Sequence, residues 1–340
     1  MRKLLFTMLC MLGICSAAFA YNTSAVLLVH NGSATTYQPE QMADAMNDAE
    51  DGDEVYLNEG SFPAFTISKK ISVKGVGEKT VIKGDITLLV PDNTTLTENL
   101  LEYLNIEGCV RLNTETRGAS IKQCTMASID FAADTHDSFI DRCYIKNTMY
   151  ANNIISETVT DEDGHTFTVT NPRIKGLTVT NSRIYYVQGI EQYTGSSESL
   201  GINQNTTFIN CVISHLGHCG GTIINSIVNE NEYLRWGSFY GCTIYNTILI
   251  NTYTYSYYNK IGEYGYDCVK TNCYSGEKAL SYTADLASLG YFGNDGTIIG
   301  PLGGSTPYTL EPAVPKVTGS TLKVDTEKKQ LNVTLTVSPE

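Results

Sequence analysis

The 340-residue chain carries 36 acidic against 23 basic residues, a net charge of −13. With no basic stripe to neutralise phosphates, nucleic acid and anionic membrane surfaces are excluded as partners. Tight binding of a polyanionic glycan is also weakly disfavoured unless calcium bridges the two. The length suits one elongated domain of about ten stacked rungs with a small tail.

Met1-Arg2-Lys3 is a short basic segment, Leu4 to Ile14 an apolar run, and Ala18-Phe19-Ala20 a small-x-small cleavage pattern. Residues 1–20 therefore read as a secretory signal peptide of bacterial type, which implies a secreted or cell-surface protein. The run is too short to span a bilayer, and no later stretch is apolar over enough length to do so. Ile14 stands where lipidation of Cys15 would need a small residue. Losing Arg2 and Lys3 takes the net charge from −13 to −15, which on the plainest reading keeps an extracellular protein in solution.

Residues 21–50 form an N-terminal segment in which Tyr37 to Ala49 reads as a helix. Pro39 suits the first turn, and Met42, Ala45, Met46 and Ala49 follow i, i+3, i+4, i+7 spacing. Beyond it, Asp51-Gly52-Asp53-Glu54-Val55-Tyr56-Leu57 and Ile71-Ser72-Val73-Lys74-Gly75-Val76-Gly77 have strand chemistry broken by glycine corners. Thr80 to Val90 and Leu100 to Val110 continue the pattern.

From Ser120 to Ile248 one phrase recurs. It appears as Ile121-Lys122-Gln123-Cys124-Thr125-Met126, Ile140-Asp141-Arg142-Cys143-Tyr144-Ile145 and Val179-Thr180-Asn181-Ser182-Arg183-Ile184. It returns as Phe208-Ile209-Asn210-Cys211-Val212-Ile213, Ile223-Ile224-Asn225-Ser226-Ile227-Val228 and Phe239-Tyr240-Gly241-Cys242-Thr243-Ile244. The small residue recurs after 19 positions from Cys124 to Cys143, 15 from Cys211 to Ser226 and 16 from Ser226 to Cys242. Such units are too short for paired helices, and their β-branched runs lack a 3.6-residue period. Alternation along a strand turns the apolar residues and the Cys/Ser to one side, so stacked rungs would share one inward column.

On these residues the chain resembles the pectin-lyase-like superfamily of right-handed parallel β-helices, over roughly Asp51 to Leu289. The resemblance implies an all-β fold, a right-handed single-stranded parallel β-helix over residues 51–304. The helix would cap its open end, and residues 305–340 would add a small β hairpin. It is specific for fold and not for activity, since the superfamily holds lyases, hydrolases, tailspikes, adhesins and proteins without catalysis.

Two loops interrupt the rungs. Thr158 to Asn171 has two Thr-rich arms around Asp163-Gly164, a hairpin pattern, and Gln192 to Asn205 is polar and rich in Gly and Ser. The prolines after Gly290 end the repeat, and Leu331-Asn332-Val333-Thr334-Leu335-Thr336-Val337 alternates as one arm of the final hairpin.

Of the ten cysteines, two lie in the leader. Cys124, Cys143, Cys211 and Cys242 hold the repeat slot, and Cys109 and Cys273 resemble it. Because Ser182 and Ser226 take the same slot, buried reduced thiols are expected. Cys211 with Cys219 and Cys268 with Cys273 are the possible bridges.

Four groups carry candidate chemistry. Asp130, Asp134, Asp137 and Asp141 with His136, Arg142 and Lys146 offer carboxylates for calcium and bases for proton abstraction, although outward strand positions are polar in any case. Arg173-Ile174-Lys175 resembles a triplet of polygalacturonase-like hydrolases, but the paired carboxylates those enzymes need do not accompany it. His215, His218 and Cys219 have metal-ligand chemistry without a second ligand pair, and so read as a corner. Tyr253, Tyr255 and Tyr257 fall on one face of a strand, with Trp236 nearby in sequence, and could form a platform for sugar rings. An internal aromatic stack is the plainer use of such a run.

The expectation is a monomeric, secreted or cell-surface glycan-binding or adhesin-like protein without catalysis, cofactor or metal. Its carbohydrate site would be Trp236, Tyr253, Tyr255 and Tyr257, and its partner an extracellular glycan. The alternative is a calcium-dependent polysaccharide lyase acting on uronate-containing polysaccharide through the Asp130–Lys146 region.

Overall fold

The computed structural model describes residues 24–91, 94–150, 155–160, 166–171, 174–188, 206–217, 221–230, 243–250, 269–276, 278–310, 316–325 and 330–338. The leader, Cys219, Cys242, Cys268, the loop 192–205 and the turn at Asp163-Gly164 lie outside them.

The described chain is mostly strand, in long parallel sheets compatible with a β-helix. From Leu96 to Gln188 it visits three sheets in turn, and beyond that the described strands belong to two of them. A two-residue strand in sheet C is followed by a strand of three or four residues in sheet A and a longer one in sheet B. One such round, here called a rung, is Thr116–Arg117, Ser120–Lys122 and Thr125–Asp130. Each strand then pairs in parallel with its counterpart one rung on: Ile121 with Ile140, Met126 with Ile145, and Thr116 with Thr135. Among the described residues sheet A has 12 strands, sheet B 10 and sheet C 4.

Two corners make this possible, and both use the left-handed backbone region. Between sheets C and A stand Glu98, Gly118, Asp137 and Gly176. Between A and B stand Tyr103, Gln123, Arg142, Asn181, Asn210, Asn225, Asn246 and Asn272, all with positive φ. Asparagine tolerates this region better than most side chains, which explains its recurrence. The repeated phrase is thus two short strands joined at a left-handed corner, not one continuous strand. The residue after the A–B corner points inward: Cys124, Cys143, Ser182, Cys211, Ser226 and Thr247 are fully buried.

The slot also has a hydrogen-bonding task. Each thiol or hydroxyl donates to the carbonyl two residues back, as in Cys124 to Lys122 (3.2 Å), Ser182 to Thr180 (2.7 Å), Ser226 to Ile224 (2.7 Å) and Thr247 to Tyr245 (2.8 Å). The hydroxyls also accept the slot N–H of the preceding rung: Cys143 to Ser182 and Cys211 to Ser226, each 3.0 Å, and Ser226 to Thr247 at 3.4 Å. These carbonyls already accept the corner N–H of the preceding rung, as Thr180 does from Arg142 (3.0 Å) and Ile224 from Asn210 (3.1 Å), so the slot side chain is a second donor that fills their remaining lone pair.

Two slot assignments are corrected. Cys109 is six residues past the corner at Tyr103, level with Ser128 on the outer side of sheet B, while Leu104 fills the slot of that rung. The phrase sets Cys242 beside Ser226, but Thr243 pairs with Thr222 and Ile244 with Ile223, so the slot falls on Thr247. Threonine meets the requirement because it supplies the same donor. Cys109, Cys124, Cys143, Cys211 and Cys273 are all free, so neither bridge to Cys211 nor bridge to Cys273 forms.

At the N-terminal end Val26–His30 lies antiparallel on Glu54–Leu57, with Ser33–Tyr37 outside it. This hairpin turns at Asn31 and Gly32, both at positive φ. The helix is shorter than its pattern, a single turn at Pro39–Gln41 and then Met42–Asp48, because Tyr37 belongs to the hairpin. Its Met42, Ala45 and Met46 join Phe62, Phe65 and Val55 in one core that continues through the inward residues of every rung.

The last rung ends at Tyr274–Gly276, short of the boundary expected at 304. Residues 278–310 instead run back over the outside as a strap without regular strands. Leu286 and Ile299 form a second apolar cluster with Val212, Ile227, Ile248 and Ile250 on the outer side of sheet B. The corner asparagines hold the strap: Asn181 Nδ2 donates to the carbonyls of Pro301 (3.1 Å) and Gly303 (2.7 Å), and Asn225 Nδ2 to Asn294 Oδ1 (2.9 Å). Asn229 exchanges two bonds with Leu280, each 2.7 Å. Two antiparallel pairs complete the fold, Ile155–Thr160 with Thr166–Asn171, and Lys316–Asp325 with Gln330–Ser338.

Candidate functional site

Trp236, Tyr253, Tyr255 and Tyr257 lie outside the described residues, as do Arg173, His218 and Cys219. The acidic group can be placed, and it is one circuit of the molecule. Asp130 ends a strand of sheet B, Asp134 sits in the following turn, and His136 is in sheet C. Asp137 forms the C–A corner, Asp141 lies in sheet A, Arg142 forms the A–B corner, and Lys146 returns to sheet B. Their closeness in sequence spreads them around the walls. Asp141 is occupied by Arg142 Nε (2.7 Å) and Thr180 Oγ1 (2.7 Å), and His136 faces Glu115 at 3.7 Å. Among the described residues no three His, Cys, Asp or Glu side chains gather as metal ligands, so this group does not fit a calcium site. Ile174 of the Arg-Ile-Lys triplet is a buried core residue.

What does converge is the outer face of sheet B over four or five rungs. Strand pairing sets its side chains in columns. Thr87, Arg111, Asp130 and Tyr150 form one, and Cys109, Ser128, Thr148, Tyr186 and His215 the next. Nearer the A–B corner a third runs through Asn105, Thr125, Tyr144 and Arg183. A register shift between Ile145 and Thr148 puts two residues, Lys146 and Asn147, opposite Tyr185, which is exposed beside a half-buried Tyr186. Such a bulge re-aims side chains without breaking the sheet.

Charges on this face are tied to one another. Arg111 Nε meets Asp85 Oδ2 at 2.9 Å and its Nη1 meets Asp130 Oδ2 at 3.4 Å. The Cys109 N–H donates to Asp85 Oδ1 at 2.8 Å, and this bond together with Arg111 holds the Asp85 carboxyl below its usual range. Burial raises the Tyr150 phenol, with Cys109 and Asp130 adding to it, so Tyr150 is a neutral donor at physiological pH. Burial also pushes the Cys109 thiol up to about 11.

The rings lie beside these charges. Tyr185 is 51% exposed, and the His215 ring meets it edge-on with centroids 4.8 Å apart. Tyr186 contacts the same imidazole at 6.4 Å. Lys146 is exposed on the neighbouring strand. At the strap, the Arg183 guanidinium lies 4.0 Å from the centre of the Tyr144 ring and 3.8 Å from that of Tyr282, with Tyr308 at 5.7 Å. A flat face with exposed ring surface, a fixed cation and neutral donors has the materials to stack on a sugar and hydrogen-bond its hydroxyls.

No family model, curated protein or solved structure matches the chain. The face therefore has to be read from its own chemistry. Lys146, Asp130 and His215 are the three candidates from the sequence that it includes. Arg111, Tyr150, Tyr185, Tyr186 and the Arg183 cluster were not among them. Their signal was the adjacent pair Tyr185-Tyr186, two bulky rings where strict alternation would have buried one.

Proposed function

We propose that this chain is a secreted right-handed parallel β-helix of the pectin-lyase-like kind that binds an extracellular glycan without transforming it. The outer face of sheet B from Arg111 to His215 is the binding surface. One observation carries the reading: Tyr185 presents half its surface to solvent while the His215 ring, itself beside Tyr186, meets it edge-on. A pre-set ring with polar neighbours loses little entropy when a pyranose stacks on it. The run Tyr253, Tyr255 and Tyr257 with Trp236 remains a proposed second platform.

Affinity electrophoresis through soluble polysaccharides tests this directly. Retardation should fall roughly tenfold for Tyr185→Ala, the loss of about one stacked ring. It should persist in a Tyr253/Tyr255/Tyr257→Ala triple variant if the sheet B face is the main site. Equal retardation of wild type and Tyr185→Ala would reject this face. The competing lyase reading places Asp130 and Lys146 on one wall, and would show as ultraviolet-absorbing unsaturated ends after incubation with uronate polymers and calcium.

A further inference from the structure

Asn31-Gly32 is the one Asn-Gly step in the chain. It forms the exposed turn between Val26–His30 and Ser33–Tyr37, with His30 paired to Ser33 and the two turn residues at φ 48° and 82°. This is the two-residue hairpin turn that Asn-Gly favours. It is also the step at which an asparagine amide is most open to its own backbone, because glycine sets no side chain beside the attacking nitrogen. The turn stands in open space, since a Cβ added at Gly32 would meet nothing within 4 Å.

The Asn31 amide is held from one side. Asp53 is only 5% exposed; its Oδ2 accepts the Glu50 N–H at 2.7 Å and its Oδ1 lies 2.8 Å from His30 Nδ1. An ionised carboxylate can only accept, so Nδ1 carries the proton of that bond, and Nε2 of the neutral ring accepts from Asn31 Nδ2 at 2.8 Å. A buried carboxylate thus orients a ring, and the ring grips the nitrogen that would have to leave.

We propose that Asn31 is a self-modification site, restrained by His30 while the hairpin is closed, whose conversion to isoaspartate releases the edge strand Ser33–Tyr37. The Gly32 backbone nitrogen gives up its proton to solvent and bonds to Asn31 Cγ. Nδ2 departs as ammonia, protonated by water, and a cyclic imide remains. Water then adds to one of the imide carbonyls. Addition at Cγ gives aspartate, and addition at the backbone carbonyl leaves Cγ in the main chain as isoaspartate. A two-residue turn has no slack for the extra backbone carbon, so the pairing of His30 with Ser33 cannot be kept. Ser33–Tyr37 is the outermost strand of sheet A and its first four residues are exposed. Its release bares the edge of Val26–His30, whose Val-Leu-Leu-Val run carries no charge and none of the usual guards against pairing with a second copy.

The test incubates the whole protein for weeks near neutral pH and follows residue 31 by peptide mapping. A mass gain there marks loss of the amide, and isomerisation at Asp51-Gly52 would add no mass. Wild type should convert slowly and His30→Ala several-fold faster. Glu50→Gln, which leaves the His30–Asn31 bond in place, should match wild type. The isoaspartate fraction, separated by ion exchange, should elute as a larger species in size exclusion. Asn31→Asp, with the same charge on an ordinary backbone, should elute as fresh wild type does. Equal rates in wild type and His30→Ala would overturn the restraint by His30. An intact Asn31 in the native protein, with conversion in the urea-unfolded chain, would overturn the site itself, and needs no variant that folds. An isoaspartate fraction of unchanged size would overturn the release of the edge strand.

Discussion

The Ser182 hydroxyl accepts the N–H of Cys143 at 3.0 Å and donates to the Thr180 carbonyl at 2.7 Å, so one side chain ties two rungs together at their corner. Ser182→Ala removes both bonds in a fully buried place; the Thr180 carbonyl keeps the Arg142 N–H, while the Cys143 N–H loses its acceptor. A loss of about 1–3 kcal/mol is expected in urea denaturation. Ser182→Cys keeps a donor of similar size, as Cys211 does in the next rung, and should cost clearly less. Equal losses would show that the slot selects volume alone.

The slot thiols should be silent in the native state. Burial pushes Cys124 and Cys211 up to about 12 and Cys143 well above its usual value, so the reactive thiolate is scarce at pH 8. Iodoacetamide followed by mass spectrometry should leave all three unmodified until denaturant is added. Rapid native labelling of Cys143 would contradict its placement.

Asn181 combines a left-handed backbone with two bonds to the strap. Asn181→Ala should cost about 2–4 kcal/mol, from backbone strain and from the lost donor to the Gly303 carbonyl, the Pro301 carbonyl keeping the Tyr308 N–H. Asn181→Gly spares the strain and loses only the strap contacts. Limited proteolysis should then cut within residues 278–310 faster in both variants, to a similar extent.

Gly75 touches the next rung so closely that an added Cβ would lie 2.3 Å from the Tyr103 carbonyl oxygen and 2.8 Å from Thr80 Cβ. The backbone atom cannot move aside without opening the sheet. Gly75→Ala should therefore lower stability by several kcal/mol, on the order of 3, or prevent folding. Circular dichroism melts of this variant beside Gly52→Ala, where the added atom meets nothing and only backbone strain remains, separate the two effects.

The pH dependence follows from Asp85. Its folded pKa is depressed, so its contribution is present above the unfolded value near 3.9 and is lost as pH falls through the folded value. The group is about two-fifths exposed, and solvent screening limits the effect to a few tenths of a kcal/mol. Asp85→Asn should lower stability slightly at pH 7 and leave the difference from wild type near zero below about pH 2. A constant difference across that range would remove Asp85 from the acid response.

Much of the architecture was legible because the repeat states it directly. Ile121, Ile140, Val179, Phe208 and Ile223 fall in register in sheet A as their spacing in the phrase requires. What the phrase hid was its own bend, since a left-handed residue in mid-phrase looks from sequence like any polar position. The N-terminal hairpin did carry a signal, Asn31-Gly32 between Val26–His30 and Ser33–Tyr37, which attention to the following helix passed over. The strap had none: the segment around Leu280, Leu286 and Ile299 has no strand or helix period, and its partners on sheet B are far away in sequence. The candidate face was illegible for a related reason. Arg111, Asp130 and Tyr150 are neighbours only because rungs stack, and the bulge opposite Tyr185 disturbs the alternation on which a sequence reading relies.

The strap has one more effect. A stack of repeats in contact only with adjacent copies can lose its end units one at a time. Here the segment after the final coil returns to the turn at Gln123, stitching the late coils to one laid down some 150 residues earlier. Fraying from the C-terminal side must first undo that seam. This half of the molecule is thereby held to a single melting event where a bare stack would peel.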